Sequence, residues 1–255
     1  MSAPRFDGKI VLVTGAAQGM GRTIALHMAS LGALVAVNDR VDDPRLHELA
    51  HDIGGYVAVA DVSDRSAVFA MVADVRDNFG PIDVLVSNHA YMTMDSFLNH
   101  DDTDWWRVVK TNLAGTFWLI QAALPDMRAS GAGRIVVTSS IWGVIGWPEA
   151  TAYSASKAGL VSLVKTLGRE LAPENIVINA IAPGITDTPQ LQVDADAAGL
   201  PLTEMHAIYA QGIPLGRIGK PEEIARTVAM LADFNMSALV GQTIQVNGGE
   251  VRSRV

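Results

Sequence analysis

The chain contains no cysteine, which excludes disulfides and thiolate-ligated metal. Charged residues make up only 18% of it, and the formal net charge is −8. An acidic chain without a Lys/Arg cluster is a poor partner for nucleic acid. No apolar run approaches the roughly 18 residues that a membrane span needs. The segment Met1 to Lys9 is short and polar, with no apolar stretch of the kind a secretory signal carries. The expectation is therefore a cytoplasmic protein that does not engage a membrane. Repeats, low-complexity tracts and long linkers are also missing. What remains is 255 residues, 49% of them hydrophobic, enough for a sizeable core in a single domain.

Short Val- and Ile-rich runs recur along the chain. Ile10–Val13, Leu34–Val37, Tyr56–Ala60, Val84–Val86, Ile135–Thr138, Val177–Ile181 and Thr243–Val246 lack strict polar alternation, as strands covered on both faces do. Helical patterns separate them: Arg22–Leu31, Ser66–Phe79, Asp104–Arg128, Ala152–Leu171 and Pro221–Asp233. This alternation predicts an α/β fold, a doubly wound parallel sheet of seven strands with helices on both faces. One stretch, Pro189–Pro214, breaks the rhythm. It is expected to be an insertion over the carboxyl ends of the strands, where such sheets bind ligands.

The first strand runs into Thr14-Gly15-Ala16-Ala17-Gln18-Gly19-Met20-Gly21. Glycines at 15, 19 and 21 let the backbone turn tightly and approach a pyrophosphate, and the following helix offers free N–H groups to it. Asp39 ends the second strand. A carboxylate there accepts from ribose hydroxyls and repels a 2′-phosphate, so NAD is expected over NADP, although Arg40 next door could greet a phosphate. Asp61, followed by Val62, ends the third strand and is placed for an adenine amino group; capping the next helix suits Ser63 or Asp64 at least as well.

Tyr153 and Lys157 stand four residues apart in a helical segment, so both lie on one face. A nearby ammonium favours phenolate and should lower the phenol from its ordinary value near 10. Such a phenol can exchange a proton with an alcohol or carbonyl near neutral pH. Ser140 lies thirteen residues before the tyrosine. With the glycine turn, these residues suggest hydride transfer.

The combination Thr14-Gly-x-x-x-Gly-x-Gly21, Asp61-Val62, Asn88, Asn112, Ser140, Tyr153-x-x-x-Lys157, Pro183-Gly184 and Gly248-Gly249 resembles the short-chain dehydrogenase/reductase family from Lys9 to Gly249. The resemblance implies a Rossmann-type sheet, a nicotinamide cofactor and a homodimer or homotetramer, of which a tetramer is expected here. It implies that Tyr153 is the acid/base, that Lys157 tunes it and holds the nicotinamide ribose, and that Ser140 stabilises the developing alkoxide. Asn112 would hold a water linking Lys157 to solvent. Asn88 would flank the cofactor through its backbone, and Pro183-Gly184-Ile185-Thr186-Asp187-Thr188 would hold the carboxamide, with the Thr186 N–H and the Thr188 hydroxyl as contacts. Gln18 and Met20 would join the cofactor set.

The chain departs from the family pattern twice. Ser87-Asn88-His89-Ala90 has a histidine where alanine is usual. It reads either as a tolerated, partly exposed side chain or as a substrate contact or pH-sensitive group. Asn247 precedes Gly248-Gly249 where aspartate is common, a change expected to bear on local structure or subunit contacts. Two other matches are set aside. His47-Glu48-Leu49-Ala50-His51 fits a zinc-protease pattern, but Leu46, Leu49, Ala50 and Ile53 form the stripe that would cover a sheet and turn the histidines away, so no metal site is expected. Ser154-x-x-Lys157 lacks the companion motifs of acyl-transfer enzymes.

Tyr91, Ile141, Trp142, Trp147, Ile185, Leu191, Met205 and Tyr209 are candidate pocket walls, with Glu149 a possible polar contact. Such an apolar and aromatic lining suits a bulky secondary alcohol or its ketone as a small-molecule substrate. The expected activity is NAD-dependent interconversion of the two. Reduction of 3-oxoacyl groups on an acyl carrier protein is the alternative. The net charge and Asp39 speak against it, and a basic patch near Arg128 and Arg134 would speak for it. A non-catalytic dinucleotide sensor is the remaining class. Trp105, Trp106, Phe117 and Trp118 on one helix, and the apolar excess of Ala152–Leu171, suggest burial against another subunit.

Overall fold

In the computed structural model, which describes residues 5–251, every strand joins one parallel sheet of order β3-β2-β1-β4-β5-β6-β7. The strands are β1 (Ile10–Thr14), β2 (Leu34–Asp39), β3 (Tyr56–Val59), β4 (Val84–Ser87), β5 (Gly133–Thr138), β6 (Ile176–Pro183) and β7 (Thr243–Val246). Successive residues of a strand face opposite sides, so each central strand feeds two cores. Leu12, Leu85, Ile135 and Ile178 pack with helices α3 (Arg65–Asn78), α5 (Gly115–Ser130) and α7 (Thr151–Leu171). Val11, Val13, Val86 and Val136 pack with α1 (Gly19–Ser30), α2 (Pro44–Ile53) and α10 (Pro221–Ala232). The unalternating apolar runs are thus explained by a sheet that is dry on both sides.

Helix starts follow local chemistry. Asp43, Asp64 and Asp101 each cap a helix, accepting from the N–H groups of Arg45, of Ser66 and Ala67, and of Thr103 and Asp104. Such caps contribute about 1 kcal/mol each. The cap of α3 is therefore Asp64, while Asp61 closes its own small turn by accepting from the Ser63 N–H at 2.8 Å.

One expectation changes and another gains detail. The helix predicted over Asp104–Arg128 is divided: α4 (Asp102–Val109) passes through a π-helical turn, Lys110–Ala114, into α5. The wider turn re-aims Asn112 without breaking the run, which no hydrophobic period signals. The stretch Pro189–Pro214, where the strand–helix rhythm breaks, holds two helices, α8 (Gln190–Ala198) and α9 (Leu202–Ala210). They close on a small core of their own with Leu191, Ala195, Met205, Ile213 and Ile218. So few apolar positions per helix leave little period to read. Among the described residues no helix is long and apolar enough to cross a membrane.

Arg134, at the start of β5, is 1% exposed. Its guanidinium donates to the carbonyls of Gly133, Asn175 and Phe234 and to Ser237 Oγ, and lies 4.5 Å from the Phe234 ring centre. It gathers main-chain acceptors from three connections at the amino ends of the strands. Arg134→Met is expected to leave several of them unpaired and lower stability by about 2–4 kcal/mol, at about 1–3 kcal/mol per buried unsatisfied group. A urea denaturation midpoint unchanged from the parent protein would refute this.

Candidate active site

The strand order reverses between β1 and β4, and a cleft opens there at the carboxyl ends, as in other doubly wound sheets. Its wall includes Gly15, Gln18, Gly19, Met20, Gly21, Asp39, Asp61, Val62, Asn88 and Thr188 from the sequence-based set. Two glycines are required by space. Gly15 has φ +65°, and a Cβ there would stand 2.9 Å from the His89 Cα; a Cβ on Gly21 would stand 2.0 Å from the Gly15 oxygen. The turn therefore closes only with bare backbone and leads directly into the N-terminus of α1, a cradle that fits a dinucleotide pyrophosphate. Asn88 braces it, donating from Nδ2 to the carbonyls of Thr14 at 3.1 Å and Gly15 at 3.3 Å. Pro183 and Gly184 lie at the end of β6, where Gly184 N donates to Val246 O. Thr186 forms a single parallel bridge to Gly219.

Asp39 is half-buried at the cleft's rim, and its carboxylate accepts from the N–H groups of Ala17 at 3.1 Å and Arg40 at 2.8 Å. Much of its accepting capacity is thereby committed to main chain. Arg40 also lines the cleft, and Arg45 Nη1 reaches Gln18 Oε1 at 2.6 Å. The Arg45 guanidinium is itself held by the Asp43 carboxylate, with Nη2 at 2.6 Å from Oδ2.

The second half of the site is built by β5 and α7. Lys157 is 1% exposed. Its Nζ donates to Thr138 O at 2.7 Å and sits 5.4 Å from the Tyr153 ring centre. Burial pulls the lysine down to about 7, because the charged form loses its hydration. Burial pushes the Tyr153 phenol up, and the Ser140 hydroxyl acts in the opposite direction. The expected lowering of the tyrosine by the lysine is thus reversed in this arrangement. The ammonium is turned to the Thr138 carbonyl, and desolvation dominates at the phenol. Ser140 Oγ accepts from the Trp142 N–H at 3.2 Å. Trp142 meets Tyr153 edge-on at 5.8 Å, and Trp147 stacks on Trp142 at 5.1 Å with the rings nearly parallel. A hydroxyl, a phenol and a buried amine pulled down to about 7 therefore lie together where the end of β5 meets the head of α7. That set can move a proton to or from a substrate oxygen.

Asn112 is wholly buried on the π-helical turn. Its amide accepts from Tyr91 N at 2.8 Å, donates to Tyr91 O at 2.9 Å, and reaches Ser156 Oγ at 3.1 Å. It holds the main chain after β4 against α7, a stapling contact that its sequence position did not reveal.

The candidate substrate residues divide into groups. Trp142 packs edge-on against Tyr153, and Trp147 stacks on Trp142. Tyr91 lines the cleft, its ring covered by the Arg107 guanidinium at 4.2 Å. Ile141 is buried as the first residue before the short helix α6 (Trp142–Ile145). Leu191 and Met205 are core of the insertion, with Ile185 and Tyr209 packed against them. A small helical pair must spend its apolar residues on its own interior first. Glu149 is exposed, and its carbonyl accepts from Asp95 N. Asn247 closes the turn after β7, accepting from Gly249 N and donating to Val251 O. His47 and His51 face outward from α2, whose buried residues are Leu46, Leu49 and Ala50. Cleft residues missed from the sequence include Asn38, Ser63, Arg107, Thr111 and Gln190. Asn38 carried a signal, a polar residue in an otherwise apolar strand; Arg107 carried none.

The family model described as enoyl-(acyl carrier protein) reductase matches residues 15–250. A 3-oxoacyl-(acyl-carrier-protein) reductase FabG of Thermotoga maritima is 38% identical over 97% of this chain and 99% of its own length. Proteins of the same name from Staphylococcus aureus and Haemophilus influenzae are 38% and 35% identical, over 94% and 95% of this chain and 97% and 98% of their own. The chain belongs to the short-chain dehydrogenase/reductase family and is an oxidoreductase. The expected preference for NAD over NADP is corrected here. The related 3-oxoacyl reductases are NADPH-dependent. In the cleft the Asp39 carboxylate accepts from main-chain N–H groups, and Arg40 lines the same wall.

Proposed function

We propose that this protein interconverts a ketone and a secondary alcohol, and that the ketone is the 3-oxo group of an acyl thioester. The observation that carries the chemistry is the buried Lys157 beside Tyr153, with Ser140 close to the phenol. A nicotinamide dinucleotide in the cleft between Gly15–Gly21 and Thr188 would supply or accept the hydride. Ser140 and Tyr153 would bind the substrate oxygen, which gains electron density as the carbonyl carbon is reduced. Tyr153 would give that oxygen its proton, and Lys157, titrating near neutrality, would replace the proton on the phenol. In the oxidative direction the same protons move in reverse. The substrate class is supported by the names of relatives similar along nearly the whole chain.

A second reading, a bulky ketone free of any carrier, is favoured by the mouth itself. The stacked Trp142 and Trp147 offer a flat apolar wall. The basic patch expected for an acidic carrier is not formed by Arg128 and Arg134: Arg128 pairs with Glu174, and Arg134 is buried at the opposite end of β5. A homotetramer in the cytoplasm completes the proposal, supported by Trp106 and Phe117, exposed at 63% and 45% on α4 and α5.

The test is nicotinamide absorbance with 3-oxoacyl thioesters, carried by acyl carrier protein or by a short thiol, against bulky alicyclic and aromatic ketones, each with both reduced dinucleotides. Turnover of thioesters on either carrier supports the first reading. Turnover of free ketones alone selects the second. No turnover, with dinucleotide binding intact, rejects both.

A further inference from the structure

His89, the residue where the family pattern has alanine, is buried among the two halves of the site. Its Nε2 lies 3.0 Å from the carbonyl oxygen of Thr111, and its Nδ1 lies 2.8 Å from Thr14 Oγ1. A carbonyl only accepts, so Nε2 carries the proton and Nδ1 accepts from the threonine hydroxyl. Thr14 Oγ1 in turn receives the N–H groups of Asn88 at 3.0 Å and His89 at 3.3 Å. Thr14 begins the glycine turn. Thr111 precedes Asn112 on the π-helical turn, and Asn112 bonds Ser156, the neighbour of Lys157. The ring also crowds Gly115, where a Cβ would stand 3.2 Å from Nε2. One imidazole thus joins the phosphate cradle to the element that braces the lysine.

The charged groups that bear on this ring are Lys157 and Asp61, and burial holds the imidazole down to about 4. It is neutral at every pH at which the site would work. Lys110, on the same π-helical turn, is exposed.

We propose that His89 is a positioning residue that sets the protonation of the Tyr153–Lys157 pair, bolting Thr14 to Thr111 and keeping water away from the buried lysine. Alanine at this position would leave a polar-walled gap large enough for water. A rehydrated Lys157 would hold its proton to higher pH.

The decisive readout needs no substrate and so does not depend on the proposed reaction. A lysine held at about 7 in the folded chain and 10.5 in the unfolded one makes stability rise as pH goes from about 7 to 10.5. The Lys157-dependent part of that rise is the difference in Tm between each protein and its Lys157→Met counterpart. In His89→Ala it is expected to fall to half or less of the parent's value. In His89→Gln, which can still donate to Thr111 O, it is expected to stay. His89→Asn keeps the Thr14 contact and empties the other end, so it should behave as alanine does, and it serves if the alanine variant does not fold. An undiminished rise in His89→Ala or His89→Asn overturns the inference, as does an equal loss in His89→Gln. With a substrate in hand, the neutral limb of the kcat profile should move about one pH unit alkaline in His89→Ala and stay in place in His89→Gln. Absence of turnover in the parent protein would reject the proposed reaction and leave the Tm comparison to decide on His89.

Discussion

Tyr153→Phe is expected to lower kcat by about 100- to 10,000-fold, the range for loss of a positioned acid/base, with dinucleotide affinity within about twofold of the parent. The substitution removes one oxygen and keeps the ring. The ring is what Trp142 meets edge-on and what Lys157 approaches, so packing at the head of α7 survives. The phenolic hydroxyl interacts with Ser140 and is the proton that the proposed reaction would use. The glycine turn and Asn88, which would cradle the dinucleotide, lie on other elements. Isothermal titration with reduced dinucleotide and steady-state kinetics on one preparation separate the two quantities. A dinucleotide sensor would bind as before with no turnover to lose. Retained turnover in Tyr153→Phe would move the acid/base role elsewhere.

Lys157→Met is expected to abolish measurable turnover and, at neutral pH, to raise Tm. The two effects share a cause. Keeping the ammonium out of water lowers the lysine from 10.5 to about 7, and each unit corresponds to about 1.36 kcal/mol. That cost is fully present below about pH 7, where folded and unfolded chains both carry the charge. It is relieved as pH rises towards 10.5, because the folded chain has already released its proton. Methionine fills similar space without charge. It also gives up the bond to Thr138 O at 2.7 Å, a loss of about 1–3 kcal/mol. The net gain should be a few degrees at pH 6.5, shrinking steadily to pH 10. A variant whose Tm difference from the parent is flat across that range would mean that the lysine is not held deprotonated by burial. The residue that would recharge the phenol is thus also a local weakness in the fold, as expected when an ionisable group is kept dry for chemistry.

Much of this was legible in the chain. Val- and Ile-rich runs such as Ile10–Val13 and Ile135–Thr138 became central strands within a residue or two of their expected ends. They are dry on both faces, and no alternative structure buries such runs as well. The glycine turn was legible because its demands are partly local: Gly15 has φ +65°, and a Cβ on Gly21 would meet the oxygen of Gly15 in the same turn. Tyr153 and Lys157 share a helix, so their proximity is a local property.

Other features depend on residues far apart in sequence. The π-helical turn over Lys110–Ala114 lets Asn112 reach Tyr91 and Ser156, partners that no local pattern names. Leu191 and Met205 looked like pocket wall and are core, since α8 and α9 must first bury each other. Arg134, near which a basic patch would have spoken for an acidic carrier, is buried under carbonyls from Asn175 and Phe234. His89 read as a tolerated, partly exposed side chain or a group in contact with substrate; it is an interior link between Thr14 and Thr111.

By itself, then, the sequence determined the sheet, its layering, the glycine cradle and the spacing of the catalytic candidates. These follow from periodicity, β-branched content and steric demands that act over a few residues. Only the tertiary structure decided the charge states of the site. Whether Lys157 is an ammonium, whether His89 is neutral and whether Asp39 is free for a ribose depend on burial and on carbonyls and N–H groups brought from distant elements. Desolvation is a property of the folded interior, and no single segment of the chain carries it.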